Sequence, residues 1–435
     1  MAENKIDNDQ LTAIALCAAG AEKALSNELK KMDMQVAESS YGKVKFRTSL
    51  SGLYRALIGL RTADRVLLEM AFFEAKDFGA LFEGAASVAW ENIIPKTMGV
   101  AIVKVRTNRS QLSAETSIQS ITHKAVAQRL CDKHGLSRLP ENPRALGGQA
   151  AWAEPQSNGD GPAEVRVYIE KDQVSLLLDL SGDPLYKRGY RTEGGVAPLR
   201  ETAAASLLLL SGWKRKYPLY DPFCGSGTIL TEALMYAWDL APGLRRHFAL
   251  EKFSIADSKT EAAVRDEFNK RINFDNLIRI AGSDTDNRAL SIAKSNMERV
   301  KDMAEGREPV HGVRLNSSGG GLPLLKLQPF DEAVPPFEFV RNEQEGAGRN
   351  EPKGFIVCNP PYGRRLGDSS AAEKIYSEMR RLRKNFSGWK LAVITDHQGF
   401  ESFFGAAADS CKEMSAGKVT SYFYQYERIF YKGVL

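Results

Sequence analysis

Apolar positions alternate between two periods along the first 75 residues. A short apolar run at 11–17 is followed by helical spacing over 21–32, a strand-like run at 44–46, helical spacing again over 50–60, and a strand over 65–73. This β-α-β-α-β order predicts a small α+β unit of ferredoxin-like kind. A second unit follows, with helical patterns at 78–89 and 116–134 around a strand at 100–105. The polar stretch 154–163, with Asn158-Gly159-Asp160-Gly161, reads as a surface turn. Val165, Val167 and Ile169, then Val174, Leu176, Leu178 and Leu180, alternate with polar neighbours and predict a hairpin turning at Lys171-Asp172.

From residue 198 the rhythm changes. Short, fully apolar runs at 218–220, 278–281, 354–357 and 391–394 separate longer helical patterns, as expected for parallel strands buried on both faces. The aromatic stretch 418–431 predicts a closing strand pair. By contrast, 301–352 holds Ser317-Ser318-Gly319-Gly320-Gly321 and several prolines, and most of it reads as an irregular surface insertion. The glycine-rich, charged segment 181–195 reads as a junction between units.

Composition narrows the class. The chain has 435 residues, 43% hydrophobic and 26% charged, enough for two or three domains with cores. A formal net charge of +5 permits a nucleic-acid partner without requiring one. Five cysteines, scattered and never in a C-x-x-C pair, argue against a disulfide framework or zinc ribbon, and five histidines show no metal-ligand spacing, so no metal is expected. The polar first ten residues lack the apolar core of a signal peptide, and no apolar run could span a membrane, so a cytoplasmic location is the expectation.

Three motifs carry chemistry. Tyr220-Asp221-Pro222-Phe223-Cys224-Gly225-Ser226-Gly227-Thr228 is a strand, a glycine-bearing turn and a helix start. Its glycines let backbone approach a ligand, and the helix N-terminus favours an anion, either a phosphate or the carboxylate of a methionine moiety. There is no P-loop and no complete G-x-G-x-x-G, since position 230 is Leu230. Asp221 suits an amino-group partner. The second motif, Gly282-Ser283-Asp284-Thr285-Asp286, ends a strand in an acid placed to take ribose hydroxyls, with Asp286 as N-cap of the next helix. The third, Cys358-Asn359-Pro360-Pro361-Tyr362, follows a strand directly. Its prolines remove two N–H donors, so the Asn359 and Pro360 carbonyls can both accept from one NH₂ group while Tyr362 stacks on a base. Such a site holds an exocyclic amine against the sulfonium methyl of S-adenosylmethionine (SAM).

Together these motifs resemble the THUMP-domain class I methyltransferases that make N2-methylguanosine in RNA, and most closely the bacterial 23S rRNA guanine-N2 group. The resemblance implies three units: a ferredoxin-like unit at 1–75, a THUMP RNA-binding domain at 76–182, and an α/β, Rossmann-like SAM-dependent methyltransferase domain at 183–435. It implies SAM contacts from Leu199, Arg200, Glu201, Thr202, Asp221, Cys224, Gly225, Gly227, Thr228 and Asp284, and target-base contacts from Asn359, Pro360 and Tyr362. In that family an acidic residue after the third strand sits near the adenine amine; the matching region falls within 337–343, where either Asn342 or Glu343 could fill that role. Large-subunit rRNA is the expected partner. Lys104, Arg106, Arg109, Lys124 and Arg129 in the second unit, and Lys187, Arg188 and Arg191 at the junction, are the candidate RNA-contacting cations. N-P-P-Y serves several amine acceptors, so tRNA guanine and adenine N6 of DNA stay open, as does a non-catalytic RNA-binding role.

Overall fold

The structure, a computed structural model, describes residues 10–140, 161–191, 199–276, 278–306, 321–337, 352–361, 369–416 and 419–430. Two seven-stranded sheets organise it. The first comprises β1 (Leu11–Leu16), β2 (Gln35–Ser40), β3 (Lys43–Thr48), β4 (Arg65–Glu74), β5 (Val100–Asn108), β6 (Ala163–Glu170) and β7 (Gln173–Asp179), in the order β2-β3-β1-β4-β7-β6-β5. Helices α1 (Glu22–Lys31), α2 (Leu50–Gly59), α3 (Phe78–Ser87) and α4 (Glu115–His134) accompany it.

Period-two patterning explains the inner face: Ala13, Ala15, Val44, Phe46, Val165, Val167, Val174 and Leu176 are buried. Lys171 and Asp172 both take positive φ, the geometry a two-residue hairpin turn requires, and they join β6 to β7 where the alternation predicts. The units read as separate on either side of residue 75 share this one sheet, because β4 pairs antiparallel with β1 on one side and β7 on the other. Strand β2 escapes the apolar pattern: Gln35-Val36-Ala37-Glu38-Ser39-Ser40 is a polar sheet edge with no buried residue.

The second sheet comprises β8 (Leu219–Asp221), β9 (Ile280–Asp284), β10 (Leu324–Leu327), β11 (Phe355–Cys358), β12 (Lys390–Thr395), β13 (Ser410–Ala416) and β14 (Val419–Tyr426), in the order β10-β9-β8-β11-β12-β14-β13. The first five run parallel, and β14 lies antiparallel between β12 and β13. Helices α5 (Glu201–Leu210), α6 (Thr228–Ala237), α7 (Ser258–Lys270) and α8 (Asn287–Ala304) belong to this unit. It is a Rossmann-like α/β fold, and the strand order reverses beside β8, between β9 and β11, where such sheets open a crevice at their carboxyl ends.

The stretch 301–352, read mostly as irregular, begins inside α8 and contains β10, a third parallel strand that the sequence pattern did not single out. β10 is an exposed edge with no residue fully buried, so it lacks the continuous apolar run that betrays a central strand. No helix among the described residues is long and apolar enough to cross a membrane.

The two sheets are tied together directly. Gly243 N–H donates to Ile58 O at 2.8 Å, Arg55 pairs with Glu267 at 2.7 Å, and Ala19 and Ser415 exchange backbone bonds at 3.0 Å.

Candidate active site

Each motif sits at the carboxyl end of a parallel strand, so the fold gathers what the sequence scatters. β8 ends at Asp221, β9 at Asp284, and β11 leads straight into Asn359 and Pro360. Because β8 pairs with both β9 and β11, these ends are neighbours, roughly 4.8 Å apart per strand step.

The turn after β8 is built by backbone geometry. Phe223 N–H donates to Asp221 Oδ1 at 3.0 Å, Cys224 N–H to Ser283 O at 3.0 Å, and Gly225 N–H to Asp284 Oδ2 at 2.9 Å. Gly225 and Gly227 have φ of 51° and 75°, left-handed values that favour glycine. Their surroundings differ. A Cβ on Gly227 would lie 2.7 Å from the Ala293 Cβ of α8, whereas one on Gly225 would meet nothing within 4 Å and would project into open space over the turn. Thr228 opens α6 behind Gly227.

Electrostatically the site is acidic. Asp221 is 2% exposed, and among the described residues neither it nor Asp284 forms a salt bridge. Burial pushes the Asp221 carboxyl up to about 8; the charge of Asp284 acts in the same direction and the bond from Phe223 opposes it. Burial likewise raises the Cys224 and Cys358 thiols, which are inert packing groups here. Asp286 caps α8 by accepting from Arg288 N–H at 2.8 Å, as its position predicts.

The leading segment of α5 is partly turned inward. Leu199 is half-buried, and exposed Arg200 lies 4.9 Å over the Tyr186 ring. Glu201 is buried against Arg191 at 3.4 Å, and burial raises its carboxyl. Thr202 donates to Asp64 Oδ1 at 2.6 Å. Asp64 follows α2 in the N-terminal unit, and no local motif marks it; only the tertiary structure brings it here.

Three of the candidate RNA-contacting cations are engaged elsewhere. Arg188 is 2% exposed, bonded to Leu185 O and Arg61 O and 3.6 Å from Glu232, so it offers no guanidinium to a strand outside. Arg191 donates to Leu199 O and, at 2.7 Å, to Thr228 Oγ1, which fixes the junction to α5 and α6. Arg129 forks onto Glu91. Lys104, Arg106, Arg109 and Lys124 are exposed, as is Lys187 beside Asp183.

Tyr362, Asn342 and Glu343 lie outside the described residues. The position after the third strand, however, is now fixed by β10. It brings Gln328, whose N–H donates to Asp284 O and whose side chain donates to Tyr220 Oη at 3.2 Å, and Phe330, whose ring lies 4.8 Å from that of Phe223. The two rings pack on each other beside the acid-ended strand.

Comparison with known proteins now bears on this geometry. Residues 188–305 and 338–424 match the RMKL-like methyltransferase domain, and residues 12–67 match the RlmL ferredoxin-like domain. YpsC of Bacillus subtilis strain 168, provisionally named an RNA methyltransferase, is 31% identical over 95% of each chain. The chain belongs to this methyltransferase family. The large-subunit rRNA methyltransferase K/L of Syntrophotalea carbinolica is 30% identical over 93% of this chain and 52% of its own, so this chain spans about half the length of that K/L relative. The solved structure of SMU.472, a methyltransferase by its description and complexed with SAH, superposes with a TM-score of 0.77 at 29% identity, covering 98% of this chain and 100% of that one.

The family's cofactor is SAM, and the residues present fit it. Two carboxylates without a salt-bridge partner would suit a ligand that carries an ammonium, a sulfonium and a ribose diol. Gly225 leaves room over the turn, and the start of α6 provides N–H groups for the ligand's carboxylate.

Proposed function

We propose that this chain methylates the exocyclic N2 of a guanine in RNA, with 23S rRNA as substrate, in the cytoplasm. The observation that carries this reading is the run of Asn359 and Pro360 out of β11, directly beside the Asp221 turn of β8. The names of YpsC and of the K/L relative support an RNA substrate, and the latter supports large-subunit rRNA.

SAM supplies an electrophilic methyl on a positively charged sulfur. The chain's own residues do the positioning. Asp221 takes the ligand's ammonium, Asp284 accepts from the ribose hydroxyls, and Leu199 to Thr202 with Cys224, Gly225, Gly227 and Thr228 line the cofactor. The Asn359 side-chain carbonyl and the Pro360 backbone carbonyl accept from the two hydrogens of the guanine NH₂, which aims its lone pair at the methyl. Tyr362 stacks on the base. The amine acidifies only as the bond to carbon forms, so its proton leaves late, to water, and no strong base is required. The 76–182 unit serves as a THUMP RNA-binding domain, with Lys104 and Arg106 as phosphate contacts, and Lys187 at the junction adds another.

The test is radiolabelled SAM with purified protein and naked large-subunit rRNA, ribosomal subunits, bulk tRNA or duplex DNA, followed by nucleoside chromatography. Label in N2-methylguanosine from rRNA is the expected result. Label only in tRNA or in DNA N6-methyladenine would discard the substrate while keeping the site, and no label in any arm would leave a non-catalytic protein.

A further inference from the structure

A cleft of about 620 Å³ lies between the N-terminal unit and the methyltransferase unit, lined from α1, the ends of α5, α6 and α7, and β13 and β14. It is far from the chemistry. Tyr236, in its wall, stands at the end of α6 opposite Thr228, roughly 12 Å along the helix axis.

Its lining is strongly cationic. Lys23, Lys31, Arg61, Arg215, Arg271 and Lys412 face only Glu28 and Asp239, an excess of four positive charges against +5 for the entire chain. Both acids are already engaged. Asp239 takes Arg215 at 3.0 Å and Arg271 at 3.2 Å, and Glu28 accepts from Arg61 N–H, Thr62 N–H and Thr62 Oγ1.

Arg61 and Arg215 stand in the inner wall of the cleft. Arg61 is 8% exposed, and its Nη2 donates to Leu240 O at 2.8 Å, but its Nη1 has no hydrogen-bond partner among the described residues. The Nε of Arg215 is also unpartnered. Their guanidinium carbons lie 5.5 and 4.7 Å from the Tyr236 ring centroid, so one aromatic ring holds both arginines in place. Planar forks of this kind match phosphate oxygens. Met32, Leu209 and Leu210 give the cleft apolar wall for a sugar or base, and its volume suits a ligand of nucleotide size.

We infer that this cleft binds a nucleoside phosphate, presented by a free nucleotide or by the backbone of an RNA strand. The inference holds whichever base is methylated at the catalytic end.

The experiment titrates the full chain with guanosine monophosphate and, separately, with a short single-stranded oligoribonucleotide at several salt concentrations. It compares wild type with Lys31→Gln/Lys412→Gln, whose side chains lie at the cleft's surface. SAM affinity of the variant reports that the fold is intact. The expected result is about tenfold weaker probe binding in the lysine pair at low salt. For the oligonucleotide, the slope of log K against log salt should also fall by about two. Loss confined to the monophosphate assigns a free nucleotide, and loss confined to the oligonucleotide assigns an RNA strand. Wild type that binds neither probe, or a lysine pair that binds both as wild type does, overturns the site.

Discussion

At the scale of single residues, the glycine-bearing turn separates two jobs that the sequence writes with one letter. Gly227→Ala combines left-handed strain with overlap on Ala293, so it is expected to destabilise the fold by about 3 kcal/mol, seen as a lower thermal midpoint. Gly225→Ala adds only the strain, about 1–2 kcal/mol, but fills the space over the turn, so calorimetry should find SAM affinity reduced far more than stability. Asn359→Ala should abolish methyl transfer with SAM affinity nearly intact, since it removes an amine acceptor; parallel loss of both would contradict that role. Asp221 makes a prediction in pH. Its folded-state pKa of about 8 stands above the ordinary 3.8, so between these values the native chain holds more protons than the unfolded one. Stability of the ligand-free protein therefore falls as pH rises through that window and levels off above about 8. Asp221→Asn should flatten this fall in thermal midpoint. SAM, a cation, should bind the wild type more tightly as pH rises from 6 towards 8.

Among the elements, the start of α5 shows how one helix end is set by a different part of the chain. Thr202 is held by Asp64 from beyond α2, while Glu201 and the preceding Leu199 carbonyl are held by Arg191. Asp64→Ala is expected to loosen this end and weaken SAM binding by about tenfold, the size of one lost charge-assisted bond; an unchanged titration would mean that Arg191 alone fixes the helix. Sheet edges behave differently from sheet centres. β8, β9, β11 and β12 announce themselves as apolar runs because both faces are covered. β2 and β10 are polar or exposed, and hydrogen bonding to one neighbour is enough to make them strands.

For the molecule as a whole, the two units are bonded to each other at several points. Ile58, Arg61 and Asp64 of the N-terminal unit bond to Gly243, Leu240 and Thr202, and Arg188 reaches back to Arg61. A fragment beginning at Ser181 would expose the far side of these contacts, including Phe268 where it packs beside Gly59. It is expected to lack a cooperative thermal transition, even though it carries all three motifs. A fragment that melts sharply and binds SAM would show that the methyltransferase unit stands alone.

What the sequence determined by itself is what short-range chemistry dictates. Alternation placed the β6–β7 hairpin, helical period placed α1, α2 and α4, and the acids and glycines of the motifs could be picked out because a turn or strand end needs those residue types. What only the tertiary structure decided involves residues far apart in the chain. The pairing of β4 with β7 merged two units into one sheet, and β10 took the third-strand position on one neighbour's hydrogen bonds. Arg188 and Arg191 turned inward because their partners, Arg61, Glu201, Glu232 and Thr228, come from other segments. Local pattern records which residues prefer water, but whether a charge meets water or a buried partner depends on what the fold places opposite it.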